Sequence, residues 1–350
     1  MIPYILLAVS PLVLKDFYKD LDSDNRKKRN YLIFVGILLF CFLAFRSEFI
    51  GSNDTFNYSN MMRKAINSMS WADYYNESGV EKGFQMFVFG LSRVFSESQW
   101  IIVISSLIYT VSICRFIYKN SEDVVLSCVM YVALGMMTFQ MQGMRQAIAM
   151  SICLFAYEFA SQKKLIKFLL AVFLATMIHQ TAIVFLVVYI LTRLKYDVKN
   201  IMLIFFFGIG AVLSAEKIIT IANDIFDKNY TTKIDSGGFV ATLIHVIIIA
   251  FAFWKNSELK LNAGSKNMLY IAILGAICYI LRYFGAQQAE RISFYFMFAQ
   301  LILLPNTVAN MTKEDAALVR TGAIVLTTAL FMYRLYGSNL IPYYFFWQNV

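Results

Sequence analysis

The sequence predicts an all-α fold: a polytopic transmembrane helical bundle of about twelve crossings. Three observations carry this expectation. The 350-residue chain is 59% hydrophobic and only 15% charged, whereas soluble domains carry about 25% charged residues. Apolar runs recur along the whole length, parted by short charged clusters, and a spanning helix needs roughly 17–25 mostly apolar residues. Those runs do not alternate polar and apolar, which argues against a β-barrel. Helices satisfy their own backbone amides in lipid and are the default there. An aromatic share of 16%, with 21 tyrosines, suits interfacial belts.

Taken in order, the expected crossings fall near 2–14, 31–45, 100–118, 123–139, 145–160, 165–178, 181–193, 200–215, 239–254, 267–282, 292–310 and 318–334. The first run lacks a basic leader and a small-residue cleavage site, so it reads as a retained helix. Phe168–Thr192 is uncharged throughout; the polar pair His179-Gln180 at its middle divides it into two crossings. The long segment 46–99 interrupts the hairpins. Within it, Met62, Ala65, Ile66 and Met69 fall at helical spacing opposite Arg63 and Lys64, which predicts an amphipathic surface helix over 59–71. The run Phe84–Phe95 is too short to span and reads as a re-entrant or interfacial helix. No repeat or low-complexity linker divides the chain, so residues 1–350 read as one integral-membrane domain.

Net charge is +9. If loop 15–30 faces the cytoplasm, alternation places segments near 115–123, 161–167, 193–199, 255–266 and 313–320 there too. These six segments hold nineteen of the 31 basic residues, the bias of the positive-inside rule. Basic charge is thus explained without nucleic acid. Cysteines 41, 114, 128, 153 and 278 all lie in apolar runs without metal or redox spacing. With two histidines in all, His245 falling inside the ninth crossing, no metal set emerges, and no phosphate loop or dinucleotide fingerprint is present. No cofactor is expected.

The same topology puts a set of unusual polar residues at the outer face: Arg46, Asp54, Glu81, Arg145 with Gln146, His179, Arg282, Glu290 and Arg291. Each has a plain alternative. Arg46 can snorkel as a boundary anchor, Asp54 can cap a turn, His179 can be a satisfied structural histidine, and Arg291 can pair with Glu290. Arg145 is harder to dismiss, because a basic residue at a helix start opposes the macrodipole and calls for a partner or an anionic ligand. Ionisable residues at membrane segments are costly and mark functional sites by default. Several arginines at one membrane face suit a di-anion at headgroup level, since guanidinium binds phosphate bidentately and stays charged. An imidazole there, or the carboxylate of Asp54, can take a proton from a hydroxyl.

In order, these landmarks resemble the EpsG-like branch of Wzy-type bacterial polysaccharide polymerases. The series runs Arg46; G-x-x-D-T-x-x-Y from Gly51 to Tyr58; E-x-G-F at Glu81–Phe84; Arg145-Gln146 with Ile148-Ala149; His179-Gln180-Thr181-Ala182; Arg291-Ile-x-x-Tyr295-Phe296; and the tail Pro342-Tyr-Tyr-Phe-Phe. Two positions depart from it: Gln142 stands where the family often has Asn, and two residues rather than one separate Gly51 from Asp54. The resemblance implies a multi-pass glycosyltransferase of the bacterial cytoplasmic membrane with its active site facing outward. Its donor and acceptor would be undecaprenyl-pyrophosphate-linked oligosaccharides, with membrane lipid and a chain-length regulator protein as further partners. His179 is the candidate general base and Asp54 the second. Arg46, Tyr58, Glu81, Arg145, Gln146, Arg282, Arg291 and Tyr295 are candidates for binding pyrophosphate and glycan. The aromatic tail would form an interfacial belt or, less readily, sugar platforms. A lipid-linked oligosaccharide flippase, a membrane acyltransferase and a glycan ligase are the alternatives.

Overall fold

The computed structural model describes residues 1–18, 21, 24–51, 53–75, 80–195, 197–214, 217, 220–221, 238–259, 263–284, 287–336 and 338–348. Among them every regular element is helical, and the one β-bridge joins Arg46 to Phe345. The helices are α1 (Ile2–Lys15), α2 (Asn25–Ala44), α3 (Asn53–Asn67), α4 (Trp71–Tyr74), α5 (Lys82–Ser92), α6 (Gln99–Asn120), α7 (Val124–Ala133), α8 (Met136–Gln142), α9 (Met144–Ser161) and α10 (Leu165–Ile178). After a 3-10 turn at Gln180–Phe185 come α11 (Leu186–Leu191), α12 (Val198–Leu213), α13 (Phe239–Leu259), α14 (Ala263–Leu281), α15 (Gln287–Met297), α16 (Gln300–Ala309) and α17 (Lys313–Leu335).

Local chemistry sets many of the boundaries. The Asp24 carboxylate accepts the N–H groups of Arg26 and Lys27 and starts α2. Asp123 caps α7 through the Leu126 N–H and also pairs with Arg320 at 2.7 Å. Thr312 caps α17. α7 stops at Leu134, and Gly135, at φ +82°, starts α8 at a bend of 45°. Every residue of α7 is buried, as is nearly every residue of α16, which marks these as the central helices. α17 is buried over only 17% of its apolar window and lies at the periphery.

Among the described residues, four helical stretches are long and apolar enough to cross a membrane: Gln99–Asn120, Gly264–Leu281, Ala289–Ala309 and Lys313–Leu335; the bent pair α7–α8 makes a fifth. The structure thus supports four or five of the twelve expected crossings. Several of the other apolar runs fold as shorter pieces. α1 and α10 have 14 residues each, about 21 Å of rise against a hydrocarbon core of about 30 Å. In α2 the basic run 26–29 leaves only the last fourteen residues apolar.

The basic segments nevertheless converge on one end of the bundle. Lys28 Nζ donates to the Ser121 carbonyl at 2.6 Å, and Arg115 and Lys119 hold Glu158 at 3.0 and 2.5 Å. Arg193 donates to the Ala160 carbonyl, Asn306 joins Ser265 to the Asn120 carbonyl, and Arg320 holds Asp123. Lys19, Lys260 and residue 215 of the eighth expected crossing lie outside the described residues.

The segment 46–99 forms a cap at the other end. Its amphipathic helix, α3, starts six residues earlier than the spacing predicts and ends at Asn67. Met62 and Ala65 are fully buried as expected, but Met69 falls beyond the helix and is exposed. α5 covers the run predicted from Phe84 and buries Phe84, Gln85 and Val88. The tail lies across the end of α2: Ser47 N–H donates to the Tyr344 carbonyl, and Tyr343 stacks on Phe42 at 4.4 Å.

Candidate functional site

A cavity of about 350 Å³ opens at the end opposite the basic segments. Its lining includes Asp54 and Tyr58 of α3; Gly135, Thr138, Phe139 and Gln142 around α8; Arg145 and Gln146 of α9; His179; Glu290 and Arg291 of α15; and Phe331 and Arg334 of α17. Phe139 stacks on Phe294 at 4.0 Å and makes one wall.

Arg145 is the second residue of α9, where its charge opposes the helix dipole. The fold answers with a carboxylate: Arg145 Nη1 donates to Glu81 Oε2 at 2.5 Å. Arg145 Nε donates to the Tyr58 hydroxyl at 2.9 Å, and the guanidinium lies 5.6 Å from the Tyr58 ring centre. Burial raises the Tyr58 phenol, so it stays protonated. The other oxygen of Glu81, Oε1, accepts the Gln180 N–H at 3.0 Å and meets His179 Nδ1 at 3.1 Å. Burial alone would raise this carboxyl. The His179 hydrogen bond, the Arg145 charge and the Gln180 N–H outweigh burial and bring it down to about 2. An ionised carboxylate only accepts hydrogen bonds. Nδ1 of His179 therefore carries the proton, which leaves Nε2 as the basic nitrogen of the neutral ring.

One close approach holds this trio, and a second shapes the cavity wall. Gly83 is the second residue of α5, two residues after Glu81, and a Cβ there would lie 2.5 Å from the Met177 carbonyl oxygen, two residues before His179. Only glycine lets α5 sit so close to the end of α10. At Gly135 the backbone is left-handed, and a Cβ would lie 2.9 Å from Arg334 Nη1.

The cavity is electropositive. Arg145 is balanced by Glu81, and Glu290 by Arg282 at 2.8 Å. Arg291 and Arg334 make no ion pair among the described residues. The Gln146 amide donates to the Arg291 carbonyl at 2.5 Å and fixes α15 against α9.

Of the residues singled out in the sequence, Asp54, Tyr58, Arg145, Gln146, His179 and Arg291 line the cavity together. Glu81 sits behind them as the partner of Arg145 and His179. Arg282 is buried and reaches the cavity only through Glu290. Tyr295 lies in the core below and accepts a hydrogen bond from Thr181 at 3.2 Å. Arg46 stands apart: it is 2% exposed, donates to the Leu43 carbonyl, and faces a separate small void with Ser105, Ser106 and Tyr109. Sequence reasoning passed over Arg334, although like Arg46 it is an arginine closing an apolar run, and unlike Arg46, which has Glu48 two positions on, it has no acidic residue within four positions.

Fold and cavity together define a multi-helix membrane protein with an arginine-lined polar chamber at one end of its bundle. The chain belongs to the EpsG family, whose sequence model matches residues 29–345, and it is thus a membrane protein of polysaccharide-polymerase type. No curated protein and no solved structure matches it.

Proposed function

We propose that the protein joins oligosaccharide repeat units carried on undecaprenyl pyrophosphate, at the outer face of the bacterial cytoplasmic membrane. The observation that carries this reading is the chain Arg145–Glu81–His179 at the wall of a cavity that also presents Arg291 and Arg334. The paired imidazole has a free Nε2 to accept a proton, and the arginines offer charge to a leaving phosphate.

A sugar hydroxyl of the acceptor unit attacks the anomeric carbon of the donor glycan. Its proton passes to His179 Nε2, the new C–O bond forms, and the bond to the lipid pyrophosphate breaks with its electron pair on the phosphate oxygen. Arg291 and Arg334 stabilise that charge, with Arg145 at the boundary. Glu81 keeps the imidazole in the productive tautomer and stabilises the imidazolium as it forms, the part a carboxylate plays in a hydrolase triad. Asp54 faces the same cavity and orients acceptor hydroxyls.

The experiment is reconstitution of the purified protein in vesicles with lipid-linked repeat units from its host. A ladder of polymer with release of lipid pyrophosphate is expected. Movement of intact units across the bilayer without joining would make it a transporter, and transfer to a different acceptor lipid would make it a ligase.

A further inference from the structure

A second cavity, of about 540 Å³, meets the first at the Tyr58–Arg145 contact and shares Asp54, Tyr58 and Arg145 with it. We propose that this cavity is an oligosaccharide subsite: a polar trough along α3 that holds the glycan of the lipid-linked substrate. The proposal rests on the polymerase reading and assigns a place to the sugar part of its substrate.

One face of α3 makes most of the trough, with Val80 and Arg145 completing it. Asp54, Asn57, Asn60, Lys64 and Asn67 recur at intervals of three and four and line it. From Asp54 to Asn67 the stripe is about 20 Å long, long enough for a short oligosaccharide rather than one sugar. The opposite face, with Met62 and Ala65, is fully buried against α5 and α6. The stripe is thereby held facing the trough.

The residue types are informative. Asparagine is a poor residue for a helix interior, because its side chain competes for backbone hydrogen bonds. A face that needed only solvation would carry Lys, Glu or Gln at lower cost. Asn57 and Asn60 both lie in the interior of α3. What a carboxamide offers is a donor and an acceptor side by side, the pattern that matches neighbouring sugar hydroxyls. Asn60 is also pre-set: its Oδ1 accepts from Arg63 Nη1 at 2.7 Å, and Arg63 is anchored by Glu48 at 2.5 Å. Its NH2 group is left to donate. Phosphate recognition falls to the arginine cavity, and hydroxyl recognition to this one.

The test is thiol protection. Asn57 is exposed on the trough, so Asn57→Cys in the full-length protein should react with a bulky maleimide faster than the wild-type cysteines do. Repeat-unit oligosaccharide freed from its lipid should slow that reaction about tenfold at roughly ten times its Kd. Asn57→Ala with Asn67→Ala should raise the KM for lipid-linked units more than it lowers kcat. Labelling unaffected by the free glycan, or slowed only by lipid pyrophosphate without sugar, overturns the subsite. If wild-type protein then still builds polymer, the polymerase reading survives that failure. Protection by glycan in a protein that builds no polymer would keep the subsite and overturn the polymerase reading.

Discussion

Replacing Glu81 by Gln tests the charge relation at the centre of the site. The carboxylate accepts on both oxygens: Oε1 from Gln180 N–H and His179, Oε2 from Arg145. A glutamine has one oxygen and one NH2. Turned one way, its NH2 opposes the Arg145 donor; turned the other, it opposes two donors. The first orientation costs less and sacrifices one charge-assisted hydrogen bond, worth about 1.5–3 kcal/mol. Arg145 keeps 21% of its side chain exposed, so water recovers part of this and the lower half of the range applies. Polymer formation in vesicles should therefore slow roughly ten- to fortyfold. Glu81→Ala also releases His179 Nδ1 and should be slower still. A second readout follows from the depressed carboxyl. Its folded-state value of about 2 lies below the ordinary 4.5, so its contribution to stability is complete above the ordinary value and is lost as pH falls toward 2. The melting-temperature gap between wild type and Glu81→Gln should be constant above about pH 5 and close in acid. A Glu81→Gln protein that polymerises within twofold of wild type would refute the idea that the Glu81 charge supports the base.

Three further substitutions separate catalysis from packing. Gly83→Ala places a methyl 2.5 Å from the Met177 carbonyl oxygen, which is backbone and cannot swing aside. Thermal melting should show a loss of about 1–3 kcal/mol, and a shift of about 1 Å between Glu81 and His179 should cost about 10²-fold in rate; normal activity would mean the two elements move apart freely. Arg334→Met removes a cavity cation whose one hydrogen bond among the described residues is a 3.5 Å contact to the Leu134 carbonyl, so inhibition by inorganic pyrophosphate should weaken about tenfold or more while the melting temperature holds. Arg46→Met should change yield and melting temperature but leave KM for lipid-linked units unchanged, because Arg46 does not line the arginine cavity; a raised KM would show that it reaches substrate.

Period and charge made part of this legible in the sequence. The polar pair at His179-Gln180 divides an uncharged run, and α10 does end at His179, whose backbone is extended. The misplaced charge at the start of α9 signalled a partner, and Glu81 is there. The partnership itself was not legible, because 64 residues separate the pair and 98 separate Glu81 from His179. Glu81 consequently read as a substrate contact when it stands one layer back. Arg46 and Arg334 show the limit from the other side. Both close apolar runs, yet one is walled in by the tail and α6 while the other faces the cavity, a difference that only tertiary packing decides. The count of twelve crossings is not confirmed for a simpler reason: α1 and α10 are shorter than a straight span, although both leave apolar side chains such as Leu6, Leu170 and Phe173 exposed.

The position of the cavity follows from where helices stop. α7 breaks at Gly135, α8 at Gly143, α10 at His179 and α14 at the 3-10 turn Arg282–Phe284. Each of the first three breaks puts a residue directly in the lining, and the fourth reaches it through the Arg282–Glu290 pair. Backbone that leaves the helix within an apolar bundle needs polar company, which protein or a water-filled chamber must supply. Interrupted helices and a polar chamber are therefore one feature. The arginines belong to the same economy: a guanidinium facing lipid is costly, whereas one at a helix break faces the chamber and remains available to an anion. Deleting a break, by restoring a helix-forming residue at Gly143, whose Cβ would press on Phe139 at 3.1 Å, would close the chamber from its wall without touching any side chain assigned to the chemistry.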